Sequence, residues 1–540
     1  MPGVKHSLRD QMLTRGTRQT RALLALHRVQ PVQRCLRFNS GFNRPPGAEC
    51  PEPPQGNPVT EQLAASASFA THVLLRWLRY TVVGLVTLTV TSATAFEGVH
   101  QWVEKAELVP ETDEEARKWQ WDIEAERWSG GPSGGTDPGL GFVGRHAVRA
   151  AWIAQNWGIG SEQSVMNSNA FSARAGGSAR AVNIVEARSE VAQAFLSVAV
   201  QHAQSRMSSG ALRPQTITEL LARHANIMER MGQRDALFEA RSEYERVWAG
   251  LPGKGVDAAR VALKLGDLNR RLGDMEDSLA WWSRAIQLTH NKTEPPPLPA
   301  IPQSLPSEPA AQRTFLSTLV SLSAFYATTG QLRQAQTVQD ASLTLFSGVQ
   351  QPESLQSASP AETLHALYTL HRLSLLSIHH AEVLYALRKK GESPLEWLTR
   401  AASSAERVAL TLTSLPPIHP DAPQSQIPHP PSSDAPLTTS YTKIISLRKP
   451  ATSLLRDARR TAAEAWNLAG VLLEQSEAPG SKERAVEYYE RALGWAGIAS
   501  DRTGGIGKAA ESTLDSEWKV LWSNYVRARA AVKGQEADKK

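Results

Sequence analysis

The chain has 540 residues, with 59 Lys or Arg against 53 Asp or Glu and a formal net charge of +6. Nine of those bases but only one acid, Asp10, fall between Met1 and Arg44. The remainder is therefore close to neutral, which argues against a general nucleic-acid binder. Cys35 and Cys50 are the only cysteines, so everything after residue 50 lacks disulfides and cysteine metal sites.

Residues 1–40 are rich in Arg, Ser and Thr and nearly free of acids, with Leu23, Leu24 and Leu26 following Arg15, Arg18 and Arg21. That is the composition of a mitochondrial transit peptide, and a disordered basic tail is the plainer alternative. A flexible Pro- and Gly-bearing linker is expected over 41–72. From Tyr80 to Phe96 there are 17 residues without a charge. The run extends to Val73 if Arg76 and Arg79 snorkel, so a single transmembrane helix is expected over 73–96. Its five Thr could favour a strand, but their hydroxyls can also bond back to helix carbonyls. Arg76 and Arg79 lie on one side of the run. Ten acids against four bases lie between Glu97 and Arg127. With a mitochondrial leader, this asymmetry places the arginines in the matrix and the C-terminal domain in the intermembrane space.

Acidic, Trp-rich juxtamembrane helices are expected over 97–160. Thr112 and Glu115 read as a capping box opening a helix that carries Trp119, Trp121 and Trp128. That helix is expected to dock on the first helical hairpin as a stalk; the functional alternative is a docking patch for a membrane partner. "GLGFVG", Gly139–Gly144, matches a dinucleotide-loop spacing but follows a loop instead of a strand. It reads as a flexible hinge before a helix from Arg145 to Trp157. A linker follows over 161–180.

Residues 181–535 show helical periodicity interrupted by Pro-rich insertions at 291–310 and 414–440. In "LGDLNRRLGDMEDSLAWWSRAIQL", Leu265, Leu268 and Leu272 recur at helical spacing before Gly273, and Leu279, Trp282 and Ile286 after it. Gly273 can take the left-handed conformation that ends a helix, so two antiparallel helices are expected. Small Gly266, Ser278 and Ala285 alternate with bulky Leu265 and Trp282, as close helix packing requires. A second stretch has Leu319, Leu322, Tyr326, Gly330, Ala335 and Ser342. A third has Trp466, Ala469, Gly470, Leu473, Ala485, Tyr489 and Ala492. Weaker helical pairs lie over 217–248 and 364–408.

No active site can be assembled. His365, His371, His379 and His380 lack the i, i+4 spacing and intervening carboxylate of a metal helix. "TGGIGKAA" lacks the first Gly and the final Ser or Thr of a phosphate loop. The chain reads as non-enzymatic, with no cofactor and no metal.

The small–large spacing of the three stretches resembles the tetratricopeptide repeat (TPR) family, with departures at Asn269 and Gln339. The expected fold is all-α, a degenerate TPR-like solenoid of helical hairpins preceded by one transmembrane helix. The resemblance implies a concave groove lined by the first helix of each pair. In the opening repeat its residues are Arg260, Leu263, Asp267, Arg270 and Arg271, and in the last Glu464, Asn467, Val471, Glu474 and Gln475. Its ligands would be proteins or peptides. The leader, span, acidic flank and repeats together resemble the fungal mitochondrial inner-membrane TPR adaptors of the i-AAA protease. That likeness implies substrate presentation in protein quality control, with the protease and the inner membrane as partners. An assembly factor for a respiratory-chain complex is the alternative.

Overall fold

The computed structural model describes residues 58–158, 165–167, 184–290, 301–347, 357–389, 392–415, 435–496 and 518–538. The expected leader, the "TGGIGKAA" stretch, half of the Pro-rich insertion at 291–310 and most of that at 414–440 lie outside these residues. The chain divides into two compact units, Met1–Leu88 and Thr89–Lys540. The described residues of the first all belong to one helix, α1 (Pro58–Trp102), whose apolar side chains there are exposed.

Helix α1 is long and apolar enough to cross a membrane. It begins at Pro58, so residues 58–72 are helical and the expected linker is cut short. Its threonines do not turn the run into a strand. Thr81, Thr87 and Thr94 each donate to the carbonyl four residues back, at 2.8–2.9 Å. The hydroxyl is thereby satisfied inside the helix and would need no partner in lipid.

Among the described residues of the second unit, the regular structure is helical apart from one small β-pair. In it β1 (Val165–Asn167) runs antiparallel to β2 (Ile184–Glu186), which places a strand inside the expected 161–180 linker. After α1 come the short helices α2 (Glu114–Lys118) and α3 (Trp121–Glu124), then α4 (Gly141–Asn156) and α5 (Ala187–Arg206). Antiparallel pairs follow: α6 (Thr216–Met231) with α7 (Arg234–Gly250), and α8 (Val256–Leu272) with α9 (Met275–Thr289). Next are α10 (Pro309–Thr328) with α11 (Leu332–Ser347), and α12 (Pro360–Leu387) with α13 (Pro394–Thr413). The one-turn α14 (Thr439–Thr442) precedes α15 (Ile445–Glu474) with α16 (Ser481–Trp495), and α17 (Trp518–Asp538) packs last. Each hairpin packs its second helix on the first helix of the next, and α8, α10, α12 and α15 also touch in succession.

Local chemistry sets these boundaries. Gly273 closes α8 at φ +97°, a conformation that a side chain disfavours. Ser359 and Ser393 cap α12 and α13 by accepting from the amides of Glu362 and Glu396, with Pro at the first helical position. The expected small–large pairs meet. A Cβ on Gly266 would come within 2.5 Å of the Trp282 indole, and one on Gly470 within 2.7 Å of the Tyr489 ring. Each glycine therefore lets a buried aromatic ring lie against helix backbone.

Two local expectations are corrected. Gly139–Gly144 is no hinge: Leu140 is buried, and a Cβ on Gly139 would strike the Ala211 carbonyl at 2.2 Å. The glycines serve close packing, and α4 starts at Gly141 instead of Arg145. The capping residue of α2 is Asp113, not Thr112; its carboxylate accepts from the Ala116 amide at 2.8 Å. Glu111 meanwhile accepts from the amides of Thr112 and Asp113, which keeps those residues outside the helix.

Candidate protein-binding groove

The three tryptophans of the juxtamembrane stretch do not share a helix. Gln120 adopts a left-handed conformation (φ 55°), which ends α2 after Lys118 and restarts the chain as α3 at Trp121. Breaking a helix leaves its last carbonyls without intrahelical donors. Here arginines supply them. The Arg313 guanidinium donates to the carbonyls of Trp119 and Gln120, both at 3.1 Å. Arg260 donates to those of Ile123 (2.8 Å) and Glu124 (3.3 Å). A cation at a helix C-terminus also meets the negative end of the peptide dipoles.

From these anchors the segment runs as a thread across the first helices of successive hairpins. Glu126 pairs with Arg223 of α6 (2.8 Å) and Lys449 of α15 (2.5 Å), and Arg127 with Asp257 of α8 (3.8 Å). Glu124 takes the Nε of Arg313 at 2.6 Å. The Trp121 indole donates to the Ala361 carbonyl of α12 at 2.9 Å. Nearer α1, Glu111 accepts from the Ser446 amide and Glu107 pairs with Arg448, both on α15. The stalk expected to dock on one hairpin thus spans from α6 to α15.

Electrostatics around the thread follow from burial. Arg313 directs one nitrogen to Nδ1 of His365 (3.0 Å), which must accept, so the proton of the ring lies on Nε2 and points to Gln312. Burial, then the adjacent Arg313, pushes the His365 pKa down to about 3. Burial alone would raise Glu126, but Arg223 and Lys449 outweigh it and bring its pKa to about 2. His371, buried against Thr461 of α15, is pushed down to about 3 by burial and then Arg372. These histidines are packed core groups, and among the described residues no His, Cys, Asp or Glu cluster could hold a metal.

The residues expected to line the groove divide into separate settings. Arg260 holds the thread, and Leu263 lines a cavity beside it. Asp267 accepts from the Trp282 indole at 3.2 Å, and burial raises its pKa. Arg271 turns instead towards Glu229 of α6 at 3.9 Å, while burial and then the charge of Arg270 push the His379 pKa down to about 4. Arg260 and Arg271 thus have separate partners, the thread and α6. In the last hairpin Asn467 accepts from Asn524 of α17, and Glu474 pairs with Arg527 at 2.8 Å and accepts from Tyr489. Helix α17 thus covers Asn467 and Glu474. Gln475 accepts from Tyr385 of α12, Val471 is half-buried, and Glu464 is exposed, raising the pKa of Glu382 by like charge after burial.

Two open cavities flank the thread, of about 800 and 770 Å3. The first lies between the thread and α15, with Arg117, Arg127, Arg372, Arg448 and Lys449 on its walls. The second lies against α6, α8 and α10, with Tyr244, Arg260, Leu263 and Lys264. The chain matches no protein-family model and no curated protein.

Sequence spacing missed Arg313, Arg223 and Lys449, the cations that bind the thread. A signal for one was present: Arg313 is the sole charged residue of α10, and a lone charge in an apolar helix needs a partner.

Proposed function

We propose that this chain is a membrane-anchored, TPR-type scaffold that binds proteins or unfolded segments. Its closest functional reading is an adaptor presenting substrates to a membrane protease, the i-AAA type, at the mitochondrial inner membrane with its hairpin domain in the intermembrane space. The observation that carries the reading is the row of hairpins, with small–large packing at Gly266–Trp282 and Gly470–Tyr489, on a chain with one span-length apolar helix. Stacked hairpins offer an extended face of side chains on which a protein ligand can lie. Because the thread occupies the first helices of the hairpins, ligands would bind beside it, in the two cavities, the second of which offers Leu263 as an apolar anchor beside Lys264.

Affinity recovery of the tagged full-length chain from detergent-solubilised mitochondria tests this. Co-recovery of the membrane protease, together with its unfolded substrates, supports the adaptor. Recovery of respiratory-chain subunits without the protease moves the assignment to an assembly factor. Recovery of neither sinks both.

A further inference from the structure

Helix α4 opens with two apolar residues that the fold leaves in solvent: Phe142 is 72% exposed and Val143 51%. An exposed apolar residue alone needs no explanation. These two are part of a larger patch. The His146 ring lies 3.9 Å from that of Phe142 and stacks at 6.1 Å and 13° on Phe96 of α1. Nε2 of His146 meets the Glu97 carboxylate at 2.7 Å, which fixes the start of α4 against the end of α1. Phe96, Val99 and Trp102, also exposed, continue the surface along α1. Phe96 is where the uncharged run that began at Tyr80 ends. Phe142 is therefore held at the depth where a spanning α1 would leave the hydrocarbon, the layer that aromatic side chains favour. A cation sits at the rim of the patch. The Arg206 guanidinium donates to the Gly139 carbonyl at 3.1 Å and would touch a Cβ on Gly141 at 2.8 Å. This is where a lipid phosphate would lie.

We propose that Phe142 and Val143 insert into the bilayer interface beside α1 and form a second membrane contact for the helical domain. Its partner is a lipid surface. One helix leaves a domain free to swing, whereas a helix plus an inserted loop-to-helix corner fixes its tilt, because two separated apolar anchors must stay at the same depth. The inference rests on the reading that α1 crosses the membrane.

The test uses the full-length chain in phosphatidylcholine–phosphatidylglycerol vesicles, with Cys35→Ser and Cys50→Ser so that one introduced thiol carries an environment-sensitive fluorophore. Labels are placed by Phe142→Cys, by Val143→Cys, by Val86→Cys within the uncharged run, and by Met275→Cys on α9. Lipid-borne doxyl groups should quench positions 142 and 143 to an extent comparable with position 86, with blue-shifted emission, and leave position 275 unquenched. If position 86 is quenched while 142 and 143 are open to aqueous iodide, the span stands and the second contact is overturned. If 142 and 143 are shielded from iodide and from lipid quencher alike, protein covers the patch and the lipid assignment falls. If position 86 itself is not quenched, the span fails and the proposal falls with it.

Discussion

The Arg313 guanidinium sits over the indole of Trp121, 3.8 Å from the ring centroid, with both side chains almost excluded from solvent. One belongs to the acidic stretch after α1 and the other to the start of α10. This contact, with the Trp121 hydrogen bond to Ala361, ties the thread to the middle of the row of hairpins.

Trp121→Ala should therefore cost about 3–5 kcal/mol, the range for removing a buried Trp. Denaturant unfolding of the full-length chain in detergent measures it. Limited proteolysis of the variant should reveal new cleavage between Glu114 and Glu126, where the released thread becomes accessible. An unchanged stability would mean that the thread is not part of the folded core.

Gly266→Ala tests the hairpin packing with opposing terms. In an exposed helix this change gains about 1 kcal/mol from propensity. Here the new methyl would lie 2.5 Å from the Trp282 indole, whose own position is fixed by burial. Overpacking typically costs about 1–3 kcal/mol, so a lower melting temperature is expected. Gly470→Ala against Tyr489 should behave the same way.

Glu406 is buried and accepts from the indoles of Trp466 (2.7 Å) and Trp495 (2.5 Å), while both ends of the Arg491 guanidinium fork pair with it. Glu406→Ala leaves Arg491 without its counter-charge in a closed site, a loss of about 3–5 kcal/mol. Glu406→Gln keeps an acceptor for the indoles and should lose less. Urea midpoints of the two variants decide the ranking, and equal losses would mean that the indole hydrogen bonds add nothing beyond the pairing with Arg491.

Stability should fall in mild acid. His365 and His371 have folded pKa values of about 3 against an ordinary 6.5, so the unfolded chain binds more protons between those limits. Folding free energy is fully present above pH 6.5 and is lost as the pH drops through this window. Glu126 adds to the loss below about pH 4.5, since its folded pKa of about 2 is depressed and the unfolded carboxylate protonates first. A melting-temperature profile from pH 7 to 4 should slope downward, and His371→Gln should flatten it. A flat profile for the parent chain would contradict the buried, neutral histidines.

Orientation has a direct check. Protease added to mitochondria with a ruptured outer membrane should digest a C-terminal tag, as expected if the domain faces the intermembrane space. A protected tag would reverse the arrangement that Arg76, Arg79 and the acids after Phe96 suggest.

The sequence by itself determined the helical hairpins around Gly273, around Gly330 and between Trp466 and Ala492. Apolar residues at i, i+3 and i+4, Gly273 in the turn, Ser-Pro starts and the small residues opposite Trp282 and Tyr489 are local signals, and each acts within one hairpin. The uncharged run of α1 was legible for the same reason, since composition over one turn after another decides it. Only the tertiary structure decided where the acids and tryptophans after α1 go. Glu126 meets Arg223 and Lys449, Glu124 meets Arg313, and Asn467 and Glu474 are covered by α17. These partners lie far apart in the chain, on helices whose relative rotation fixes which cation faces inward. Charge complementarity carries no sequence register: any of the many arginines could answer a given glutamate until packing brings one within about 3 Å.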